Sequence, residues 1–459
     1  MNGSSTMRHP AAPARGKRAR RSPSPWVAAA AAGVLTGALA VTALPPAIGS
    51  ADEPGCGGTH FVASWAASPT DAVTPFDATG GLVPLTVDDQ TFRMIVSPHL
   101  GGEQLRVRLT NRFGLTPVTF DRVSVGDRIS GATVGNVAAV RFGGRDSVTI
   151  EPGAEALSDP VSFPVAAFAP LAVSIHVAGQ AGPPTKHWNA NATSYYSPAG
   201  SGDLTGRADA GGFTATTQSW FYVSAVDVLA PAGTRAVVAF GDSITDGFVG
   251  STPISIPVDR AAADTDGRYP DVLQHRLNAQ RVPVSVVNAG IGSNRVLASG
   301  EPLLLGPSGL SRFQRDALDQ AGVSGVLVQE GINDLGLPPQ ADAASMISGY
   351  EQLIAAARRA GKKVWLGTLL PASDALVDGV LIAPRSETER QAINAWIRGQ
   401  RLADGIVDFD AALRDPGDPA VLRDEYSSVD RLHPSLAGYR AMAEAVDTAL
   451  LADTRSPAC

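Results

Sequence analysis

The chain has 459 residues, 44% hydrophobic and 18% charged, with a net charge of −7 and a pI near 5.5. That length allows two or three domains with buried cores. The acidic balance excludes a global basic footprint for nucleic acid.

Residues 1–51 read as an export signal. Arg8, Arg15, Lys17, Arg18, Arg20 and Arg21 precede an uncharged run from Trp26 to Leu44, and small residues follow at Gly49, Ser50 and Ala51. A retained membrane anchor is the alternative, but the run is weakly hydrophobic for a span. No later stretch is long and apolar enough to cross a bilayer, so a secreted, extracellular protein without stable membrane insertion is expected. The two cysteines, Cys56 and Cys459, lie near the ends of the mature chain. In an oxidising compartment they form a candidate disulfide, with two free thiols as the alternative.

From Gln90 to Ala230 the pattern has period two. Leu105, Val107 and Leu109 alternate with Arg106, Arg108 and Thr110, and Leu171, Val173, Ile175 and Val177 alternate with Ala172, Ser174 and His176. Such strands have one core face and one wet face. Glycine and proline turns punctuate them, which predicts an all-β, jelly-roll-like sandwich over 56–232. Trp65, His187, Trp188, Tyr195, Tyr196, Trp220 and Tyr222 could line a carbohydrate or acyl-chain site. Packing in the sandwich and between domains is the expected role.

After Pro231–Ala232–Gly233 the texture changes. Apolar runs at 236–240, 284–287, 326–328, 364–366 and 406–407 alternate with helix-like stretches at 269–280, 311–320, 341–360, 386–403 and 434–451. Strands buried on both faces with crossover helices predict a doubly wound α/β domain with a parallel sheet over 233–459. Reactive groups in such sheets gather beyond the carboxyl ends of the strands.

Polar clusters fall at those positions. Phe240–Gly247 follows the first run, Asn288–Asn294 the second and Glu330–Asp334 the third, while Asp430–Pro434 precedes the last helix. Together they contain what acyl transfer to a serine requires. Ser243 heads a turn into a helix, and its attack needs an imidazole as base and a carboxylate to orient that base. Charge developing on the carbonyl oxygen needs aimed N–H donors. Asn333 offers an amide, and the glycine-rich loop 290–293 permits close backbone approach.

In these four blocks the sequence resembles the SGNH (GDSL-type) hydrolase family. Gly241–Ile244 matches the first block, Gly331–Asp334 the third and Asp430-x-x-His433 the last, over roughly 235–452. The resemblance implies a flavodoxin-like parallel sheet. It makes Ser243 the nucleophile, His433 the base and Asp430 the orienting carboxylate, with Ser243 and Asn333 in the oxyanion hole. The second block departs from the pattern: aligned on Asn288, the family's oxyanion glycine falls on Ser293, with Gly292 the alternative. Asp334 and Asp246 are competing candidates for the carboxylate. A β-rich region ahead of the catalytic one is similar to secreted two-domain esterases of this family.

The implied activity is carboxylic-ester hydrolysis through an acyl-enzyme. Small-molecule, lipid or acylated-polysaccharide esters are all allowed as substrate, with pocket shape set by loops 249–267, 295–310 and 371–386. A carbohydrate-binding protein with a degenerate hydrolase domain, and an acyltransferase using the same triad, are the alternatives. No cofactor or metal is predicted, since Asp264–Gly267 lacks the ligands that a calcium loop needs.

Overall fold

A computed structural model describes residues 58–303, 305–377 and 386–452. The expected export signal, Cys56 and Cys459 lie outside the described residues. Among those described, the elements before the 232–234 turn are all strands, and those after it alternate between strand and helix.

Two larger antiparallel sheets and a two-stranded pair, Lys186–His187 with Trp220–Phe221, form the first part. One has the order Thr59–Ala66, Val223–Pro231, Gly102–Thr110, Glu155–Leu157, with Val161–Val165 also paired to Gly102–Thr110. The other includes Ser194–Tyr196, Gln90–Val96, Leu171–Val177 and Val118–Ser130 as successive neighbours. A single buried cluster takes Leu105, Val107 and Val226 from the first sheet and Phe92, Met94, Val123 and Val173 from the second. The alternation thus marks the core face correctly.

The expected wet face is not wet on the Leu171–Val177 strand, which is buried at every position. Ser174 accepts a hydrogen bond from the buried Arg93 guanidinium (2.9 Å), which also donates to the carbonyls of Leu204 (3.1 Å) and Arg207 (2.8 Å). Ala172 packs with Ile95 and Val134 in a separate apolar cluster. A polar residue at an alternate position is therefore covered here by a following loop.

Thr59–Ala66, which precedes the region of clear alternation, joins the two parts. Val62, Ala63 and Ala66 share a buried cluster with Ala236, Val238 and Phe240, and the Ala63 N–H donates to the Ala321 carbonyl at 2.9 Å. The described residues form one compact unit. The change at 232–234 is one of chain texture, while the cores on its two sides meet.

The second part is built on a five-stranded parallel sheet in the order Val284–Gly290, Arg235–Gly241, Val323–Gln329, Lys363–Gly367, Gly405–Val407. Counted along the chain this is the doubly wound order whose direction of winding reverses between the Arg235–Gly241 and Val323–Gln329 strands. A crevice opens at that point, beyond the carboxyl ends. Helices cover the sheet at Tyr269–Ala279, Ala343–Arg359, Ser386–Gly399 and Leu436–Ala445. The helix expected over 434–451 is broken in two, Leu436–Ala445 and Thr448–Ala452. The first piece stops at Ala445, where Val446 turns extended, and the Arg276 guanidinium takes the carbonyls of Ala443 and Val446.

Arg312 lies fully buried under the strand ends. It donates to the carbonyls of Gly241 (2.7 Å) and Ala289 (2.7 Å) and to the Asn294 side chain (2.7 Å), and its guanidinium lies over the Phe240 ring at 3.9 Å. The neighbouring Glu330, also without exposure, is 3.6 Å from Arg312 Nη2, and neither of its oxygens has a hydrogen-bond partner. Burial pushes its carboxyl up to about 8, against the pull of Arg312 and with the help of the Asp242 and Asp334 charges.

A stability prediction follows from that burial. The unfolded chain releases the Glu330 proton near the ordinary glutamate value, whereas the folded protein holds it to about 8, so this group's stabilisation declines as pH rises between the two. The neutral, isosteric variant Glu330→Gln lacks that decline. Urea-unfolding midpoints of variant and wild type should therefore diverge in the variant's favour from about pH 5 to about pH 8. A pH-independent difference would show that Glu330 is ionised in the folded state.

Candidate active site

The Arg235–Gly241 strand runs into a four-residue helical turn, Ser243–Asp246, which Gly247 ends in the left-handed conformation at φ 89°. Gly241 is required at the bend, because a Cβ there would sit 2.1 Å from the Gln329 carbonyl oxygen and 2.1 Å from Thr245 Oγ1. Asp242 caps the turn by accepting the Ile244 N–H at 3.0 Å, and burial raises its carboxyl to about 7. Ser243 is consequently the first residue of a turn pinned at both ends.

Asp430 and His433 meet Ser243 from the other side. His433 Nε2 lies 2.8 Å from Ser243 Oγ, and His433 Nδ1 lies 2.6 Å from Asp430 Oδ2. The other Asp430 oxygen accepts from Ser428 Oγ (2.7 Å) and the N–H groups of Leu432 (3.0 Å) and His433 (3.0 Å). Burial would raise the Asp430 carboxyl, but the His433 ring and these donors outweigh it and hold it well below the usual carboxylate range. Gly250 lets a loop pass against this carboxylate; its Cβ would fall 2.1 Å from Asp430 Oδ2.

The two competing carboxylates are occupied elsewhere. Asp334 accepts the N–H groups of Val296 (2.7 Å) and Leu297 (2.9 Å), closing the loop after the Val284–Gly290 strand. Asp246 faces away from His433 and pairs with His187 at 3.0 Å. Asp430 is the carboxylate on the His433 ring.

Asn333 stands in the Ile332–Gly336 turn and donates from Nδ2 to the Asn294 carbonyl at 3.0 Å, which ties it to the 291–295 loop. In that loop Ser293 adopts the left-handed conformation at φ 57°, whereas Gly292 is not among the positive-φ residues. The glycine-favouring backbone thus falls at Ser293, which supports its alignment with the family's glycine. Gly292 instead faces the Trp188 ring, with its would-be Cβ 3.6 Å from Cε3.

The β-rich part reaches this site through residues 186–191, of which His187 and Trp188 were expected to pack in the sandwich or between the domains. Asn189 Nδ2 donates to Asp246 Oδ2 (3.3 Å), and Asn191 Nδ2 donates to the carbonyls of Asp246 (3.2 Å) and Gly247 (2.9 Å). Trp188 stacks on Phe248 at 6.2 Å, and Phe248 lies 4.7 Å from the His433 ring. Trp65, Trp220 and Tyr222 are core residues, as expected of them, while Tyr195 and Tyr196 are half-buried. The one local signal was Lys186–His187–Trp188–Asn189–Ala190–Asn191, a polar and aromatic run without the period-two pattern. Asp264 accepts from the Thr193 N–H (2.8 Å) and hydroxyl (2.6 Å), and no carboxylate–histidine cluster suited to a metal occurs among the described residues.

Residues 239–441 match the sequence model of the GDSL-like lipase/acylhydrolase family. No curated protein matches the chain. Among solved structures the chain is similar to the inhibitor-bound aryl esterase of M. smegmatis, at 17% identity over 46% of this chain and 95% of that one, with a TM-score of 0.37. It is also similar to a GDSL-like lipase from Bacteroides thetaiotaomicron (18% identity, 47% and 88% of the two chains, TM-score 0.35). A third is Est24, a carbohydrate acetylesterase from Sinorhizobium meliloti (15% identity, 48% and 97%, TM-score 0.36). The match to the GDSL-like lipase/acylhydrolase family model covers the part of the chain that carries Ser243, Asn333, Asp430 and His433.

Proposed function

We propose that this protein is a secreted serine hydrolase of carboxylic esters, working through an acyl-enzyme on Ser243. The observation that carries this reading is the hydrogen-bonded chain from Ser243 Oγ to His433 Nε2 (2.8 Å) and from His433 Nδ1 to Asp430 (2.6 Å). In it residues 1–51 are an export signal, 56–232 an accessory β-sandwich and 233–459 the catalytic domain.

Ser243 Oγ attacks the carbonyl carbon while its proton passes to His433 Nε2. Asp430, kept ionised, holds the ring by Nδ1 and stabilises the imidazolium. The tetrahedral oxyanion is taken by the Ser243 and Ser293 N–H groups and Asn333 Nδ2. Collapse breaks the bond to the alcohol oxygen, which leaves with the proton from His433. Water then repeats the sequence on the acyl-enzyme and frees the acid. That the triad side chains are already joined by hydrogen bonds, and the oxyanion positions carry usable donors, weighs against a degenerate scaffold.

On chromogenic short-chain esters, Ser243→Ala should lower kcat by roughly 10³-fold or more while leaving the protein folded. Asp430→Ala should retain more activity than His433→Ala, since it leaves a base that is only misoriented. A Ser243→Ala protein with more than a few per cent of wild-type turnover, free of contaminating esterase, would sink the proposal.

Asn333→Ala should lower kcat by roughly 10²–10³ with little change in KM, because its bond strengthens in the transition state. Ser293→Gly, which keeps the N–H and suits the left-handed backbone, should stay within a few-fold of wild type. A large rise in KM at constant kcat would make Asn333 a substrate-binding group instead.

A further inference from the structure

His187 belongs to the β-rich part, yet its ring lies beneath the nucleophile turn. Nδ1 is 2.8 Å from the Ser68 carbonyl oxygen, and Nε2 is 3.0 Å from Asp246 Oδ1 and 2.9 Å from the Asn189 carbonyl oxygen. The two carbonyl oxygens, one at each ring nitrogen, can only accept. A neutral imidazole carries one N–H and one lone pair, so in either tautomer one nitrogen would face an acceptor with no proton between them. Two protons on the ring satisfy every contact. The arrangement calls for an imidazolium, with the Asp246 carboxylate as its buried counter-charge.

What this ion pair holds is the end of the turn that begins at Ser243. Asp246 N–H donates to the Asp242 carbonyl at 2.9 Å, and the N–H groups of Gly247 (3.0 Å) and Phe248 (2.9 Å) both donate to the Ser243 carbonyl. A shift of Asp246 is passed to Ser243 within one helical turn. Near-attack geometry is sensitive on that scale, since a displacement of about 1 Å can cost about 10²-fold in rate.

We propose that His187 is a positioning residue held as a buried imidazolium, so that its deprotonation releases the nucleophile turn and imposes an alkaline limit on kcat. The proposal rests on the reading of Ser243 as nucleophile. The charged and titratable groups around the pair are Arg268, which is bonded to Asp271 and lies 5.8 Å from the Trp220 ring beside His187, Tyr439, on which the Asp246 charge acts, and Arg312, which reaches Ser68 Oγ at 3.4 Å. Burial by itself would lower the His187 value; the Asp246 carboxylate and the two carbonyls outweigh it and hold the ring above the usual histidine range. The sign is therefore fixed: the contact is intact at low and neutral pH and is lost as pH rises through the raised value.

The test uses the full mature chain with 15N-labelled histidine. Two-bond 1H–15N spectra, with His187 assigned by its absence in His187→Gln, report directly whether each ring nitrogen carries a proton. Both should be protonated at about pH 7, and the midpoint of their deprotonation should coincide with an alkaline fall in kcat. His187→Gln, which can donate to Asp246 but cannot titrate, should lose roughly 10-fold or more in kcat with KM little changed, and its alkaline limb should be gone. A neutral His187 ring at about pH 7 overturns the proposal. So does a deprotonation midpoint that differs from the kcat limb in the wild type, which decides the matter even if the variant does not fold. The ring state is read without reference to activity, so a failure of the Ser243 assignment would leave that measurement intact and be recognised separately.

Discussion

A single buried guanidinium fixes where the strand ends lie. Arg312 takes the last carbonyl of the Arg235–Gly241 strand, the penultimate carbonyl of the Val284–Gly290 strand and the side chain of Asn294. The first two acceptors lie just ahead of Ser243 and Ser293, and the third belongs to Asn294, whose backbone carbonyl accepts from Asn333 Nδ2. A strand terminus has carbonyls without ladder partners, and burial makes each costly unless a donor reaches it. Arginine's fork can serve several at once in fixed relative positions. The distance between Ser243 and the proposed oxyanion donors is thus constrained by a group that bonds to neither.

Around that constraint the site is assembled from three sources. The parallel sheet presents Ser243 and Asn333 at the point where its winding reverses. The loop before the Leu436–Ala445 helix brings Asp430 and His433, and glycine at 250 lets another loop close over the carboxylate without collision. The β-rich part supplies the third wall. Through Asn189 and Asn191 it satisfies polar groups of the nucleophile turn that would otherwise be buried without partners, and through Trp188 and Phe248 it backs the His433 ring. An accessory region with no contact to the chemistry would show none of these bonds.

Much of this was legible in the residues. The five parallel strands stand where the continuous apolar runs stood, because a strand buried on both faces has no need of polar alternation. The four polar blocks fall at the strand ends, as the sheet's topology requires. What escaped reading depends on contacts distant in sequence. Nothing near Ser174 announces Arg93 above it, and nothing near Val446 announces Arg276, so one strand lost its wet face and one helix its continuity. His187 was classed with packing aromatics because its partners, Ser68 and Asp246, lie 119 and 59 residues away. Only the left-handed backbone at Ser293 distinguishes it from Gly292, and that dihedral has no signature in a serine.

The central claim is that Ser243 is the atom on which the acyl group is carried. A fluorophosphonate, which phosphonylates only a serine whose hydroxyl is activated by a neighbouring base, tests it without knowledge of the natural ester. Peptide mass spectrometry of the inactivated protein should find a single adduct on Ser243, formed at the rate at which esterase activity is lost. Inactivation with the adduct on another serine, or full activity after stoichiometric labelling of Ser243, would contradict the account.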